Sequence, residues 1–163
     1  MAATDFFLKI DGIDGESEDD QLAKHLQLQS WSWGETNAGS SGLGGGAGSG
    51  KVAMQDFHFT VEMGSASTKL MQACATGKHI ANAKLICRKS TGDKQDKYCE
   101  FTFTDIVISS YQVGGHGHGN PLPVEQISFN YTKIEMEYFK QDSKGILSSA
   151  GKLGWDLKKN VKV

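Results

Sequence analysis

Three groups of residues have types and spacings that could do chemistry. Gly45-Gly-Ala-Gly-Ser-Gly50-Lys51 has the spacing of a phosphate-binding loop. Val52, however, stands where a Ser or Thr would hold magnesium, and the lysine opens a strand-like pattern rather than a helix whose N-terminus could receive phosphate. His116 and His118 form an H-x-H pair, a spacing that serves zinc when rigid elements orient the rings and further ligands converge. Here both rings sit in Gly114-Gly-His-Gly-His-Gly119, with glycine on every side and nothing to aim them. The third group is Cys74, Cys87 and Cys99, an odd set without a C-x-x-C pair, which suits a reducing compartment better than a disulfide framework. Glu16 to Asp20 is an acidic run without a histidine at a useful distance, so a solvated connection is expected there. Asn130-Tyr-Thr132 matches a glycosylation sequon inside a strand pattern and is discounted. No G-x-S-x-G elbow and no H-E-x-x-H zinc helix occurs. The expectation is a protein that is not an enzyme, with no catalytic residue, metal or cofactor.

The elements that would have to position any site are mostly strands. Ser65 to Gly77 is the one convincing helix: Ser65 or Ser67 can cap its start, and Gly77 can end it in the left-handed region. Ala66, Leu70 and Cys74, with Met71 and Ala73, give it one apolar stripe, and a helix this short must dock to persist. Elsewhere apolar residues alternate, and the alternation repeatedly slips phase. Leu26 and Leu28 disagree with Trp31 and Trp33, where a single bulge residue would restore a common face. Val52 and Met54 disagree with Phe57, Phe59, Val61 and Met63. Phe101 and Phe103 disagree with Ile106 and Ile108, and those with Tyr111 and Val113. Ile127, Phe129 and Tyr131 disagree with Ile134, Met136 and Tyr138. Long strands that change phase midway are bent, as strands are when they wrap into a barrel. The predicted fold is mainly β: a single β-barrel of bent antiparallel strands with one short flanking α-helix, Ser65 to Thr76.

Within that fold, Ile80 to Lys89 and Tyr98 to Ile108 read as a hairpin around Thr91-Gly92-Asp93, which would set Cys87 opposite Cys99 as small buried hydrophobes. Pro121 and Pro123 open what reads as the longest strand, running to about Phe139. A turn near Asp142 to Gly145 leads to a less regular tail anchored by Trp155. One domain spanning 1–163 is expected, with a flexible glycine-rich loop at 36–50. A net charge of −2 gives no reason to expect nucleic acid, and no apolar run is long enough for membrane insertion. The N-terminal stretch lacks the basic start of a signal peptide.

Taken in order along the chain, several of these pieces resemble the haemolysin-coregulated protein (Hcp) family, the tube proteins of the bacterial type VI secretion system. They are Phe7-Leu-Lys-Ile10 with Gly15-Glu-Ser17, Ser30-Trp-Ser-Trp-Gly34 and the glycine-rich loop, then Leu70-Met-Gln-Ala-Cys74 and Gly77-Lys-His79. Ala83-Lys-Leu85, Arg88-Lys89, Gly154-Trp155 and Asn160-Val161 complete the series. The resemblance implies a barrel with a helix on its flank, assembled with copies of itself into hexameric rings that stack into an expelled tube. It further implies spike, sheath and baseplate proteins as partners, effector proteins as cargo, and passage from bacterial cytoplasm to the exterior without a signal peptide. With the sequence ending soon after Trp155, the added toxic domain that some of the family carry is not expected. If Trp31 and Trp33 enter the core, Ser32 must point the other way, and it is expected to face the lumen. Leu43, a lone large apolar residue beside Gly44, Gly45 and Gly46, is expected to make a ring contact or a stacking contact. The rival reading is a monomeric barrel that binds or hydrolyses a small ligand or carbohydrate.

Overall fold

The computed structural model describes residues 4–39, 51–119 and 121–163. Among them run β1 (Thr4–Ile10), β2 (Leu26–Leu28), β3 (Ser30–Ser32), β4 (Glu35–Asn37), β5 (Val52–Met54) and β6 (Phe57–Glu62). The helix α1 (Ser67–Thr76) follows, then β7 (His79–Thr91), β8 (Lys94–Gly114), β9 (Val124–Gln141), β10 (Leu147–Asp156) and β11 (Val161–Lys162). The chain is mainly β with one short helix, as its alternation predicts. The longest strand is β8, not the one opened by the prolines. Thr36 and Asn37, expected in a loop, instead pair with Ala53 and Val52 across β4 and β5.

One antiparallel circuit organises the wall. β8 pairs with β7, β7 with β1, and β1 with β2; on its other side β8 pairs with β9, β9 with β6, and β6 with β3. β2 and β3 are one stretch of chain that changes partner at Gln29, whose N–H donates to Thr60 O at 2.9 Å. The ladder is therefore not closed by hydrogen bonds all the way round; covalent continuity at Gln29 carries the wall from one edge to the other. This change of partner replaces the bulge expected between Leu28 and Trp31. Trp31 then stacks over Phe57 at 6.0 Å. Phe57, Phe103 and Phe129 pack with centroids 4.9–5.1 Å apart at the centre of the core.

The phase slips have two physical origins. In β8 the core side passes from Phe101 and Phe103 to Ile106 and Ile108, and in β9 from Tyr131 to Ile134. β7 does the same between Ile80 and Ala83, a slip its sequence hides because Ala81 and Asn82 carry no apolar signal. Yet Ile80, Ile106 and Tyr131 remain in one row, and Ala83, Phe103 and Ile134 in another, with no change of register between them. Three neighbouring strands thus turn over together along one line, where Asp105 takes a left-handed φ of 51°. True insertions, by contrast, leave an unpaired residue: Ser109 in β8, Tyr98 in β8 and Ala150 in β10.

The helix starts two residues later than expected. Its N-cap is Ala66, and neither serine caps it by side chain. Ser67 is buried, with its hydroxyl accepting from Gly64 N–H and donating to the buried Glu125. The Ser65 N–H donates to Glu16 instead. Leu70 and Ala73 face the core, Met71 is 54% exposed and drops out of the predicted stripe, and Gly77 closes the end at φ 64°. The acidic run is no free loop either. Arg88, buried on the outer side of β7, makes a two-pronged ion pair with Asp19 at 2.7 and 3.1 Å and lies 4.6 Å over the Phe7 ring. That guanidinium holds the Asp19 carboxyl below its usual range. Finally, the tail expected to be irregular is a strand: β10 follows β9 from Leu147 to Asp156. Its serines and glycines show no alternation because the β9 edge recruits it through main-chain bonds.

Candidate functional site

Two surfaces stand out, one on each part of this wall. The first surrounds Ser32. Cross-strand pairing places Ser32, His58, Ser128 and Ser110 in one row, and Ser30, Thr60, Gln126 and Gln112 in the next. All eight side chains lie on the side opposite the Phe57–Phe129 core, because alternation along each strand sends them there. None is a lysine, arginine or carboxylate. The hydroxyls bond one another: Ser30 to Thr60 at 2.6 Å and Ser110 to Ser128 at 2.5 Å. The result is a neutral, hydrogen-bonding face with a recess of about 350 Å³ among these side chains. Ser32 is exposed and points away from Trp31 and Trp33, which are half-buried against the core. Trp33 donates to Tyr131, whose hydroxyl donates to Gln55 O. Burial raises the Tyr131 phenol to about 12.

The second surface begins where the sheet turns over. Beyond that line the core side of β8 and β9 continues outward through Phe101, Ile134 and Met136, and β10 adds Leu153 and Trp155 in register. Ile134 is 4% exposed, but Met136 is 47%, Tyr138 49% and Leu153 75% exposed. This is core-type surface that nothing among the described residues covers. The β4–β5 hairpin borders it, and Trp33, Val52 and Met54 help enclose a groove of about 820 Å³ against the strands. The reverse side is polar: Glu137 of β9 sits opposite Lys152 of β10 and Glu100 of β8, and Lys133 of β9 opposite Asp156 of β10. β9 and β10 thus form an amphipathic wing, polar outside and apolar inside.

The residues that could have done chemistry are not brought together. His116 and His118 are exposed, and no cluster of His, Cys, Asp and Glu suited to a metal occurs among the described residues. Cys87 and Cys99 do lie opposite each other, as the symmetric hairpin predicts, and both are free thiols. Leu43, Gly44, Gly45 and Gly46 lie outside the described residues. The wing was missed from the sequence because Met136 and Tyr138 continue the alternation of a buried strand, while Leu153 stands alone between Lys152 and Gly154.

The architecture is a mainly β wall with one polar face and one uncovered apolar wing. The comparisons give that architecture its family. Residues 7–138 match the model of the family described as "Type VI secretion system effector, Hcp". The chain is 37% identical over 160 residues to the Pseudomonas aeruginosa protein named Protein hcp1, with 98% of each chain covered. A solved structure described as a type six secretion system protein superposes with TM-score 0.92 at 35% identity, covering 99% of this chain and 100% of that one. Hcp1 from Salmonella typhimurium follows at TM-score 0.78 and 30% identity, covering 99% and 100%. The chain belongs to the Hcp family, the secreted tube proteins of type VI secretion. No helix among the described residues is long and apolar enough to cross a membrane.

Proposed function

We propose that this chain is a non-catalytic subunit of the type VI inner tube, closing with its copies into hexameric rings that stack and are expelled with effector cargo inside. The observation that carries this reading is the uncovered wing. A closed ring needs one surface of each subunit to meet a different surface of the next. An apolar sheet face of this kind, exposed at Met136, Tyr138 and Leu153, is a poor surface for a lone monomer. We assign it to the contact within the ring, and Leu43 with Gly44, Gly45 and Gly46 to ring closure or stacking. The neutral face around Ser32 suits a lumen, since cargo can slide along a hydroxyl-lined wall without strong ion pairs to break. The one domain acts as a building block in the bacterial cytoplasm and leaves through the secretion machine, bounded by sheath, spike and baseplate.

The test of the lumen is a bulky replacement, Ser32→Trp. Rings should form unchanged while cargo stabilisation and delivery fall several-fold in a complementation assay. Normal cargo delivery by rings of the variant would remove Ser32 from the lumen.

A further inference from the structure

The register of β7 against β8 places Cys87 directly opposite Cys99. Directly paired residues of antiparallel strands have Cα atoms about 4.5 or about 5.5 Å apart, according to their hydrogen-bond pattern. Either separation falls within the roughly 4.4–6.8 Å over which a disulfide closes. Both side chains share the core side, but their surroundings differ: Cys87 is fully buried and Cys99 half-buried. The same row continues from Cys99 to Tyr138, which is 49% exposed on the wing. Cys99 is therefore the more accessible residue of the pair. The hydrogen bond between them holds the Cys99 thiol below its ordinary range and pushes the Cys87 thiol up.

We propose that Cys87 and Cys99 are a redox-modification site that a hydroperoxide converts to an intrachain, cross-strand disulfide. The Cys99 thiolate attacks the O–O bond of hydrogen peroxide, becoming a sulfenic acid and releasing hydroxide, which takes up a proton as water. Cys87 then attacks the Cys99 sulfur as the thiolate, its proton passing to the departing sulfenic oxygen. The S–S bond forms, the S–O bond breaks, and the oxygen leaves as a second water with the Cys87 proton. Two thiols lose two electrons and the peroxide gains them. Cys74, on α1 and away from this ladder, takes no part. The proposal rests on strand register and on accessibility in the unassembled chain, since the ring contact proposed above would cover the approach past Tyr138.

The experiment uses the full chain at a concentration where sedimentation shows it monomeric, reduced, freed of reductant and exposed to hydrogen peroxide at neutral pH. It is then denatured, alkylated with N-ethylmaleimide and weighed intact. The oxidised chain should take up one alkyl group where the reduced chain, with its three cysteines, takes up three. Before alkylation it should be lighter by two hydrogens, and dithiothreitol should restore all three sites. Peptide mapping should find Cys87 joined to Cys99, and Cys74→Ser should oxidise in the same way. Three alkylated sites after peroxide, a product halted as an acid on Cys99, or a bridge that includes Cys74 would each overturn the proposal. Because the alkylation count and the peptide map use the wild-type chain, the result does not depend on whether a Cys99→Ser variant folds.

Discussion

Replacing Leu153 by Asp is the sharpest perturbation of the wing. The side chain is 75% exposed in the isolated chain, so its own fold loses little. Fully burying a leucine is worth about 1.5–3 kcal/mol, and three-quarters of that, about 1–2 kcal/mol, remains to be gained when a second copy covers it. Asp forfeits the gain and must in addition strip water from a carboxylate facing Met136 and Trp155, which costs at least as much again. The combined loss of about 2–4 kcal/mol weakens each contact by roughly 30- to 1,000-fold. A ring repeats the contact at every junction, so the variant should be monomeric at concentrations where the parent is assembled. Sedimentation velocity reads assembly, and circular dichroism with a thermal melt reads folding. A Leu153→Asp chain that melts like the parent and assembles like the parent would refute the assignment of the wing to self-association.

Three further outcomes follow from the packing and the charges. Phe103→Ala empties the centre of the Phe57–Phe129 cluster and should destabilise the chain by about 3–5 kcal/mol in a denaturant titration, without first changing assembly. Asp19 titrates below the ordinary 3.8 because Arg88 holds its charged form, so its contribution to stability is present above about pH 4 and is lost as pH falls through the lowered value. Asp19→Asn should therefore lower the melting temperature at pH 7 by the equivalent of about 1–3 kcal/mol and flatten the loss of stability below pH 4. Leu43→Asp, if this residue makes the proposed stacking or closure contact, should leave the melt unchanged while shortening tubes or opening rings in negative-stain images; normal tubes would remove it from that role.

Much of the fold is legible in the residues. The change of face in β8 and β9 is written in Phe103 against Ile106 and Tyr131 against Ile134, because large apolar residues mark the core side at each step. β7 makes the same turn invisibly, since alanine and asparagine at 81 and 82 bury nothing that a pattern can register. β10 was illegible for a different reason: its pairing uses backbone groups, which every residue carries. Asp19 looked solvated because its partner, Arg88, is 69 residues away and reaches it only across the folded wall. On the functional side, the outward direction of Ser32 follows from the two tryptophans flanking it. The exposure of Met136 and Tyr138 does not, because a strand that leaves its core keeps the alternation it had inside.

The central claim is that this wall is one segment of a ring closed by its own copies. Native mass spectrometry of the purified full chain tests it most directly. The reading predicts a dominant species of six subunits that collapses toward monomer in Leu153→Asp. A monomer persisting in the parent chain at high concentration, particularly with a small molecule bound in the groove beside Trp33 and Trp155, would contradict it.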